Sequence, residues 1–175
     1  MAVPRLDKIP LMDGEAVRVV VETGAGSRNK LKFLPEFAAF ELHHVLPLGT
    51  SFPYDFGFLP STRGEDGDPL DAIVFADEPS PCGTIVPCRL IGVIEAEQNK
   101  PGEAPERNDR FLAVARGSHI YRDWNDVGDV PARALDELEA FFSFYNVQRG
   151  TEFRPVGRGD AARALKLLQQ GRRTG

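Results

Sequence analysis

The sequence is poor in cysteine and in long apolar runs, and each scarcity excludes a class of protein. The two cysteines, Cys82 and Cys88, are too few for the disulfide framework of a small secreted domain, so we expect both to be reduced core residues. No apolar run is long enough to cross a membrane, and residues 1–11 lack the hydrophobic centre of a signal peptide. The composition therefore predicts a cytoplasmic protein with no membrane partner.

Positive charge is also limited, with 21 Lys and Arg against 26 Asp and Glu and a net charge of −5. The basic residues are scattered along the chain, which argues against a surface that binds nucleic acid. A chain of 175 residues with 42% hydrophobic side chains is long enough to bury one good core. We therefore expect a single globular domain over residues 1–175, with no nucleic-acid partner.

Glycine and proline are abundant, at 17 and 14 residues, so many short elements joined by turns are expected. Apolar and alternating patterns predict strands at 17–22, 37–42, 72–75, 84–97 and 111–115. The fourth of these strands is expected to be broken near Pro87 or Gly92. About five strands in a chain of this length suggest a small barrel or a curled sheet.

The hydrophobic period changes in the last third of the chain. The residues that recur at helical spacing are Ala134, Leu135, Leu138, Phe141, Phe142 and Tyr145, which predicts a helix over 131–145. A second helix is expected from Asp160, a candidate N-cap, to Gln170, with Leu165 and Leu168 facing inward. The predicted fold class is therefore α+β, mainly β with flanking helices.

The run Asp66-Gly67-Asp68-Pro69-Leu70-Asp71 places three carboxylates within six residues. Gly67 allows a tight bend, and Pro69 pushes Asp68 toward an extended conformation, so Asp66 and Asp68 can point the same way. Grouped carboxylates are hard oxygen ligands that suit Mg²⁺ or Mn²⁺. The same dipeptides are also common in surface turns, so the spacing alone leaves a turn and a metal site as open alternatives.

Four further segments accompany this acidic motif. They are Val19-Val20-Val21-Glu22 with Asn29-Lys30, Phe52-Pro53-Tyr54-Asp55-Phe56-Gly57-Phe58, Arg89-Leu90-Ile91-Gly92-Val93 and Phe141-Phe142-Ser143-Phe144-Tyr145. In order and spacing, over roughly residues 17–146, the five segments resemble the soluble single-domain Mg²⁺-dependent inorganic pyrophosphatase family. The resemblance implies a small closed five-stranded OB-like barrel with two helices packed against it, and a homo-oligomer.

The resemblance also implies an activity, the Mg²⁺-dependent hydrolysis of inorganic pyrophosphate to two phosphates by a metal-bound water. Asp66 and Asp71 would hold the two ions that flank the attacking water, and Asp68 would bind metal and accept the proton of that water. Glu22 would be a further metal ligand, although the residue alone is equally compatible with an ordinary strand end. Mn²⁺ is an alternative ion at such a site.

The substrate would be held by a second group of residues that the resemblance implies. Lys30 and Tyr145 would act in catalysis by binding phosphate oxygens, and His44 and Arg110 would be further substrate contacts. From the residues alone, Lys30 is also compatible with a solvated strand end and Tyr145 with a core aromatic whose hydroxyl is exposed.

The chain departs from the family pattern at several positions where the family is polar or charged. Lys32 stands in place of a family glutamate, and His44 in place of an arginine. Phe52 and Phe56 replace two tyrosines. Gln98 and Asn108 replace two metal carboxylates, and Asn146 replaces the lysine that follows the helix tyrosine. Neutral amides bind Mg²⁺ more weakly than carboxylates, so the loss of two carboxylates would weaken metal binding. Glu97, Glu103 and Asp109 are candidate replacement ligands, with solvated surface residues as the alternative.

Three functions are compatible with these features. The first is a working pyrophosphatase, and the second is a relative redirected to another phosphoanhydride or a phosphate ester, since phenylalanines in place of tyrosines could accept an organic group. The third is a non-catalytic barrel that binds phosphate or oligonucleotides, which the acidic charge disfavours. We expect the first, with pyrophosphate as the small-molecule substrate.

Overall fold

The structure is a computed structural model that describes residues 5–172. Its strands are β1 (Met12–Asp13), β2 (Ala16–Thr23), β3 (Asn29–Leu34), β4 (Ala39–Val45), β5 (Asp55–Phe58), β6 (Asp71–Phe75), β7 (Ile85–Asn99), β8 (Glu106–Arg107), β9 (Arg110–Ala115) and β10 (Glu152–Asp160). Its helices are α1 (Ala132–Gln148) and α2 (Ala161–Gly171), and two short 3₁₀ turns lie at Leu6–Lys8 and Val127–Asp129.

Five strands close into a ring, which confirms the predicted OB-like barrel. Around the ring, β2 pairs with β5, β5 with β6, β6 with β9, β9 with β7, and β7 with β2 again. The β6–β9 pair is parallel and the other four are antiparallel. The long strand β7 makes closure possible, because its first residues pair with β2 and its last residues pair with β10 outside the ring. A closed ring leaves no free edge among its five strands.

The predicted strands agree with the structure in part. Four of them correspond to β2, β6, β7 and β9 in the barrel, and β7 is continuous, with a register shift between Leu90 and Gly92 where a break was expected. The predicted strand at 37–42 is β4, which lies at Ala39–Val45 and pairs with β3 in a separate two-stranded sheet. Strands β3, β5 and β10 were missed, as were the two-residue strands β1 and β8.

Strand β5 was missed because its sequence, Asp55-Phe56-Gly57-Phe58, carries two residues that disfavour strands. All four residues are buried, and Gly57 faces the backbone of β2 so closely that an added Cβ would overlap the carbonyl oxygen of Val20. Glycine is required there because another strand approaches the backbone.

Both predicted helices are present. Helix α1 begins directly after Pro131 and buries Leu135, Leu138, Phe142 and Tyr145 against the barrel core. It runs three residues beyond the predicted end at residue 145. Among residues 5–172, no helix is long and apolar enough to cross a bilayer.

Helix α2 starts where expected, because the Asp160 side chain accepts a hydrogen bond from Arg163 N at 2.7 Å and caps the first turn. Leu168 is buried as predicted, but Leu165 is 45% exposed, so that part of the prediction was wrong. The buried pair is Ala164 and Leu168, which lie four residues apart on one face of the helix.

The cysteine prediction was half right. Cys88 is buried in the barrel on β7, and burial raises the pKa of its thiol to about 12. Cys82 is exposed, because it lies in the turn before β7 and not in the core. Both are free thiols.

Candidate active site

One cavity of about 380 Å³ collects most of the candidate residues. Its wall is built by the β3–β4 hairpin, the loop between β5 and β6, the end of β7 and the start of β9, and helix α1. The predicted site residues that line it are Glu22, Lys30, Asp66, Asp68, Asp71, Arg110 and Tyr145. Residues from five parts of the chain, separated by up to 123 positions, therefore meet at one place.

The acidic motif is both a turn and a part of this cavity, so its two interpretations are compatible. Asp66 Oδ1 accepts a hydrogen bond from Asp68 N at 3.0 Å, and Gly67 between them has φ +87°, which a glycine adopts without strain. Both carboxylates border the cavity as a result. Desolvation by the surrounding protein, together with the nearby charges of Asp71 and Asp68, raises the pKa of Asp66.

Two of the three motif carboxylates pair with protein cations. Lys32 Nζ lies 2.8 Å from Asp68 Oδ2, and Arg110 Nη1 lies 2.7 Å from Asp71 Oδ2. Desolvation acts to lower the pKa of Lys32, but the hydrogen bond to Asp68 and the surrounding carboxylates outweigh it, so this pKa is raised. Lys32, which stands where the family has a glutamate, therefore meets the predicted proton acceptor directly.

Glu22 is buried and holds Lys30 in place. Its Oε2 accepts from Lys30 Nζ at 2.8 Å, and its Oε1 accepts from Phe33 N at 2.8 Å. Lys30 Nζ also donates to Leu31 O at 2.8 Å and lies 4.4 Å from the ring centroid of Phe56. Each oxygen of Glu22 therefore accepts one protein donor, so this residue positions Lys30. Each carboxylate oxygen has a second lone pair, and metal binding by Glu22 stays a prediction.

Arg110 is almost fully buried between the acidic motif and the aromatic core. Its guanidinium carbon lies 5.1 Å from the ring centroid of Phe142 and 5.0 Å from that of Phe153. Within residues 5–172, its Nε has no hydrogen-bond partner, whereas Nη1 contacts Asp71 and Asn108 Oδ1. The buried guanidinium thus carries an unused donor beside the cavity.

The two positions where the family has further metal carboxylates form an amide pair. Asn108 Nδ2 donates to Gln98 Oε1 at 2.7 Å, and both residues line the cavity. Of the candidate replacements, Glu97 pairs with Arg154 and Asp109 accepts from Arg107 Nη2 at 2.9 Å. Asp109 and Glu103 each border an adjoining cavity that shares Asp66 and Asn108 with this one. None of the three lines the cavity of about 380 Å³ itself.

Tyr145 projects from α1 into the aromatic floor of the cavity. Its ring packs 5.8 Å from Phe52 and 6.1 Å from Phe141 between centroids, so the core-aromatic interpretation is correct for the ring. Burial raises the pKa of Tyr145, so its hydroxyl stays protonated at neutral pH and is able to donate. Its oxygen accepts a 3.3 Å hydrogen bond from Arg149 Nη1.

The histidine of β4 that reaches the cavity is His43 and not His44. Lys30 pairs with His44 and Leu31 with Leu42, so His43 is the extra residue of a bulge, which redirects its side chain. His44 lies outside the cavity lining, with its ring centroid 5.9 Å from that of Tyr145. Desolvation and the charges of Arg149, Lys32 and Lys30 lower the pKa of His43, which favours its neutral form.

The donors of this cavity fit a hard divalent cation, because they are carboxylate and amide oxygens. Within the part of the chain that the structure describes, however, no three His, Cys, Asp or Glu side chains are grouped as a metal site would group them. Such a cavity suits an ion that takes one or two protein carboxylates and completes its coordination with water and phosphate, as Mg²⁺ commonly does.

The sequence and the fold of this chain both resemble those of known proteins. A family model described as inorganic pyrophosphatase matches residues 19–174. The inorganic pyrophosphatases of Thermus thermophilus and of a Nostoc species are 34% and 36% identical, over 96% and 94% of this chain and 93% and 95% of their own lengths.

The chain belongs to the inorganic pyrophosphatase family.

The solved structures agree with this assignment to the inorganic pyrophosphatases. The fold matches the crystal structure of inorganic pyrophosphatase from Thermus thermophilus with a TM-score of 0.86, at 32% identity and 95% coverage of both chains. It also matches the Helicobacter pylori inorganic pyrophosphatase with a TM-score of 0.82, at 27% identity over 94% of this chain and 96% of that one. The predicted family is therefore confirmed.

Proposed function

We propose that this chain is a single-domain enzyme that hydrolyses inorganic pyrophosphate to two phosphates with Mg²⁺ as its cofactor. The observation that carries this proposal is the convergence of the acidic motif with Lys30, Arg110 and Tyr145 on one cavity in a member of the pyrophosphatase family. Pyrophosphate is a compact polyanion, so its site needs cations for the phosphate oxygens and carboxylates for metal ions.

The cofactor would be held by Asp66, Asp68 and Asp71, with Mn²⁺ as an alternative. When bound, a divalent ion of this kind neutralises phosphate charge and lowers the pKa of a coordinated water. Asp68 is exposed to the cavity and would accept a proton from the attacking water. The water oxygen forms a bond to one phosphorus while the bond from that phosphorus to the bridging oxygen breaks, and the second phosphate leaves with the bridging oxygen.

The remaining residues would bind and orient the anion. Lys30 and Arg110 supply positive charge from fixed positions, because Glu22 holds the first and Asp71 and Asn108 hold the second. The protonated hydroxyl of Tyr145 would donate to a phosphate oxygen. Glu22 positions Lys30, and its remaining lone pairs would be open to a metal ion, as expected from the sequence.

The buried aromatic residues favour pyrophosphate over an organic phosphate. Phe52 and Phe56, which replace family tyrosines, are only 1% and 4% exposed, since they pack into the aromatic core. They offer little apolar surface to an organic group, so the reason for expecting a changed substrate is weakened.

The test is phosphate release by the purified protein across a Mg²⁺ titration, with pyrophosphate, nucleoside triphosphates and phosphate monoesters as separate substrates. Asp68→Asn should abolish pyrophosphate hydrolysis while leaving folding intact, because it removes proton acceptance and a metal ligand at constant volume. The matched control is Asp123→Asn, whose side chain is 90% exposed and lies outside the cavity lining. Undiminished turnover in Asp68→Asn would contradict the assignment of that residue.

The surface around β4 bears on the assembly state of the protein. Exposed apolar side chains lie along and beside β4, at Phe37, Leu42, Val45 and Leu48, and such surface suits contact with a second copy of the chain. We propose a homo-oligomer, which light scattering coupled to size-exclusion chromatography would detect, and the cytoplasm as its compartment. A monomer at micromolar concentration would contradict the first of these.

A further inference from the structure

Two elements of this chain have lost the cation that the family resemblance places on them. On α1, the residue after Tyr145 is Asn146, which is 1% exposed and donates to Phe142 O at 2.8 Å, so it is part of the core. On β4, the position of the family arginine is His44, which lies outside the cavity lining. Neither replacement supplies positive charge to a bound anion.

Arg149 lies between these two elements. It directly follows the last residue of α1, is exposed, and lines the cavity. Its Nη1 donates to Tyr145 Oη at 3.3 Å and its Nη2 lies 3.2 Å from His43 Nε2, so one guanidinium connects the helix to the hairpin. Its carbon lies 5.3 Å from the ring centroid of Tyr145.

Arg149 also differs from the other cations of this cavity in its charge pairing. Lys30, Lys32 and Arg110 each have a carboxylate within 2.8 Å. For Arg149, no carboxylate within residues 5–172 comes close enough for an ion pair. Its positive charge is therefore available to an anion in the cavity.

We propose that Arg149 binds a phosphate group of the substrate and takes over from both of the lost cations. A guanidinium offers two parallel donors that match a phosphate, which a lysine in the same place does not. Its hydrogen bond to Tyr145 Oη uses an acceptor site of that oxygen and leaves the Tyr145 proton free to point at the phosphate. This inference rests on the proposed function for the identity of the anion.

The test measures anion binding without turnover. Calorimetric titration with methylenediphosphonate, a non-hydrolysable analogue of pyrophosphate, is done in saturating Mg²⁺ on the wild type, Arg149→Met, Arg149→Lys and Arg133→Met. Arg133 is the matched control, because it lies in α1, the helix that Arg149 follows, is 90% exposed and pairs with Glu137 away from the cavity. Thermal unfolding of each variant checks that the fold is retained.

We expect Arg149→Met to weaken diphosphonate binding about 10- to 100-fold, the range of a charged hydrogen bond to phosphate. Arg149→Lys should retain part of the affinity, and Arg133→Met should bind as the wild type does. The KM for pyrophosphate should rise in parallel. A folded Arg149→Met variant with wild-type affinity would overturn the inference while leaving the proposed function intact. A wild type that neither binds the analogue nor hydrolyses pyrophosphate would overturn both.

Discussion

The buried ion pair between Glu22 and Lys30 gives a prediction about stability. The two side chains are only 8% and 11% exposed, and Glu22 also accepts from the backbone N of Phe33. In Glu22→Gln, an amide oxygen replaces the charged one, so the ammonium of Lys30 stays buried without a counter-charge. Breaking a buried pair in this way costs about 3–5 kcal/mol.

The glutamine keeps one acceptor oxygen, and Lys30 keeps its bond to the Leu31 carbonyl, so the loss should lie near the low end. We expect urea unfolding at pH 7 to show a loss of about 3 kcal/mol in Glu22→Gln, since hydrogen bonds that involve one charged group are retained. In a double-mutant cycle with Lys30→Met, the double variant should be less destabilised than the sum of the two single variants. A loss below about 0.5 kcal/mol, which is typical of an exposed pair, would refute this account of the buried pair.

Three further predictions concern charges around the cavity. Lys32→Met should tighten Mn²⁺ binding, measured by calorimetry, because it frees Asp68 from an ion pair. The gain should be no more than about fivefold, because this partly exposed pair is worth about 1 kcal/mol at most. Weaker Mn²⁺ binding in the variant would contradict this. Asn108→Asp should lower the Mg²⁺ concentration for half-maximal hydrolysis, and an unchanged value would place this loop away from the metal. Hydrogen bonds from Arg163 and Arg107 lower the pKa of Glu95 from 4.5 to about 2. The ionised Glu95 therefore stabilises the fold fully above pH 4.5, and this stabilisation is lost as the pH falls toward 2. When the pH falls from 4.5 to 2, the free energy of unfolding measured in urea should decrease by about 1 kcal/mol less in Glu95→Gln than in the wild type. Equal decreases in the two proteins would contradict this.

Local sequence patterns were sufficient for much of the fold. The strands with continuous apolar runs, such as Asp71–Phe75 and Arg110–Ala115, were predicted because burial on both faces selects such runs. Strand β5 was not, because its glycine is chosen for the approach of another strand and not for strand propensity. Patterns along the chain do not record which strand will lie beside it.

The site was predicted in composition but not in its pairings. The acidic motif, Lys30 and Tyr145 could be proposed from their types and spacing, and the structure places them around one cavity. The Lys32–Asp68 pair and the Arg149–His43 contact join residues 36 and 106 positions apart, so no local pattern specifies them. His43 reaches the cavity in place of the predicted His44 because of a bulge in β4, and the position of that bulge is set by tertiary packing.

We propose that this cavity cleaves the bond between the two phosphates of pyrophosphate. The most direct measurement is the amount of phosphate released per pyrophosphate consumed by the purified protein in Mg²⁺, with a tenfold excess of a nucleoside triphosphate as competitor. We expect two phosphates per pyrophosphate, with little inhibition by the nucleotide and none of this activity in Asp68→Asn. Consumption of the nucleotide in preference to pyrophosphate, or no phosphate release from either, would contradict it.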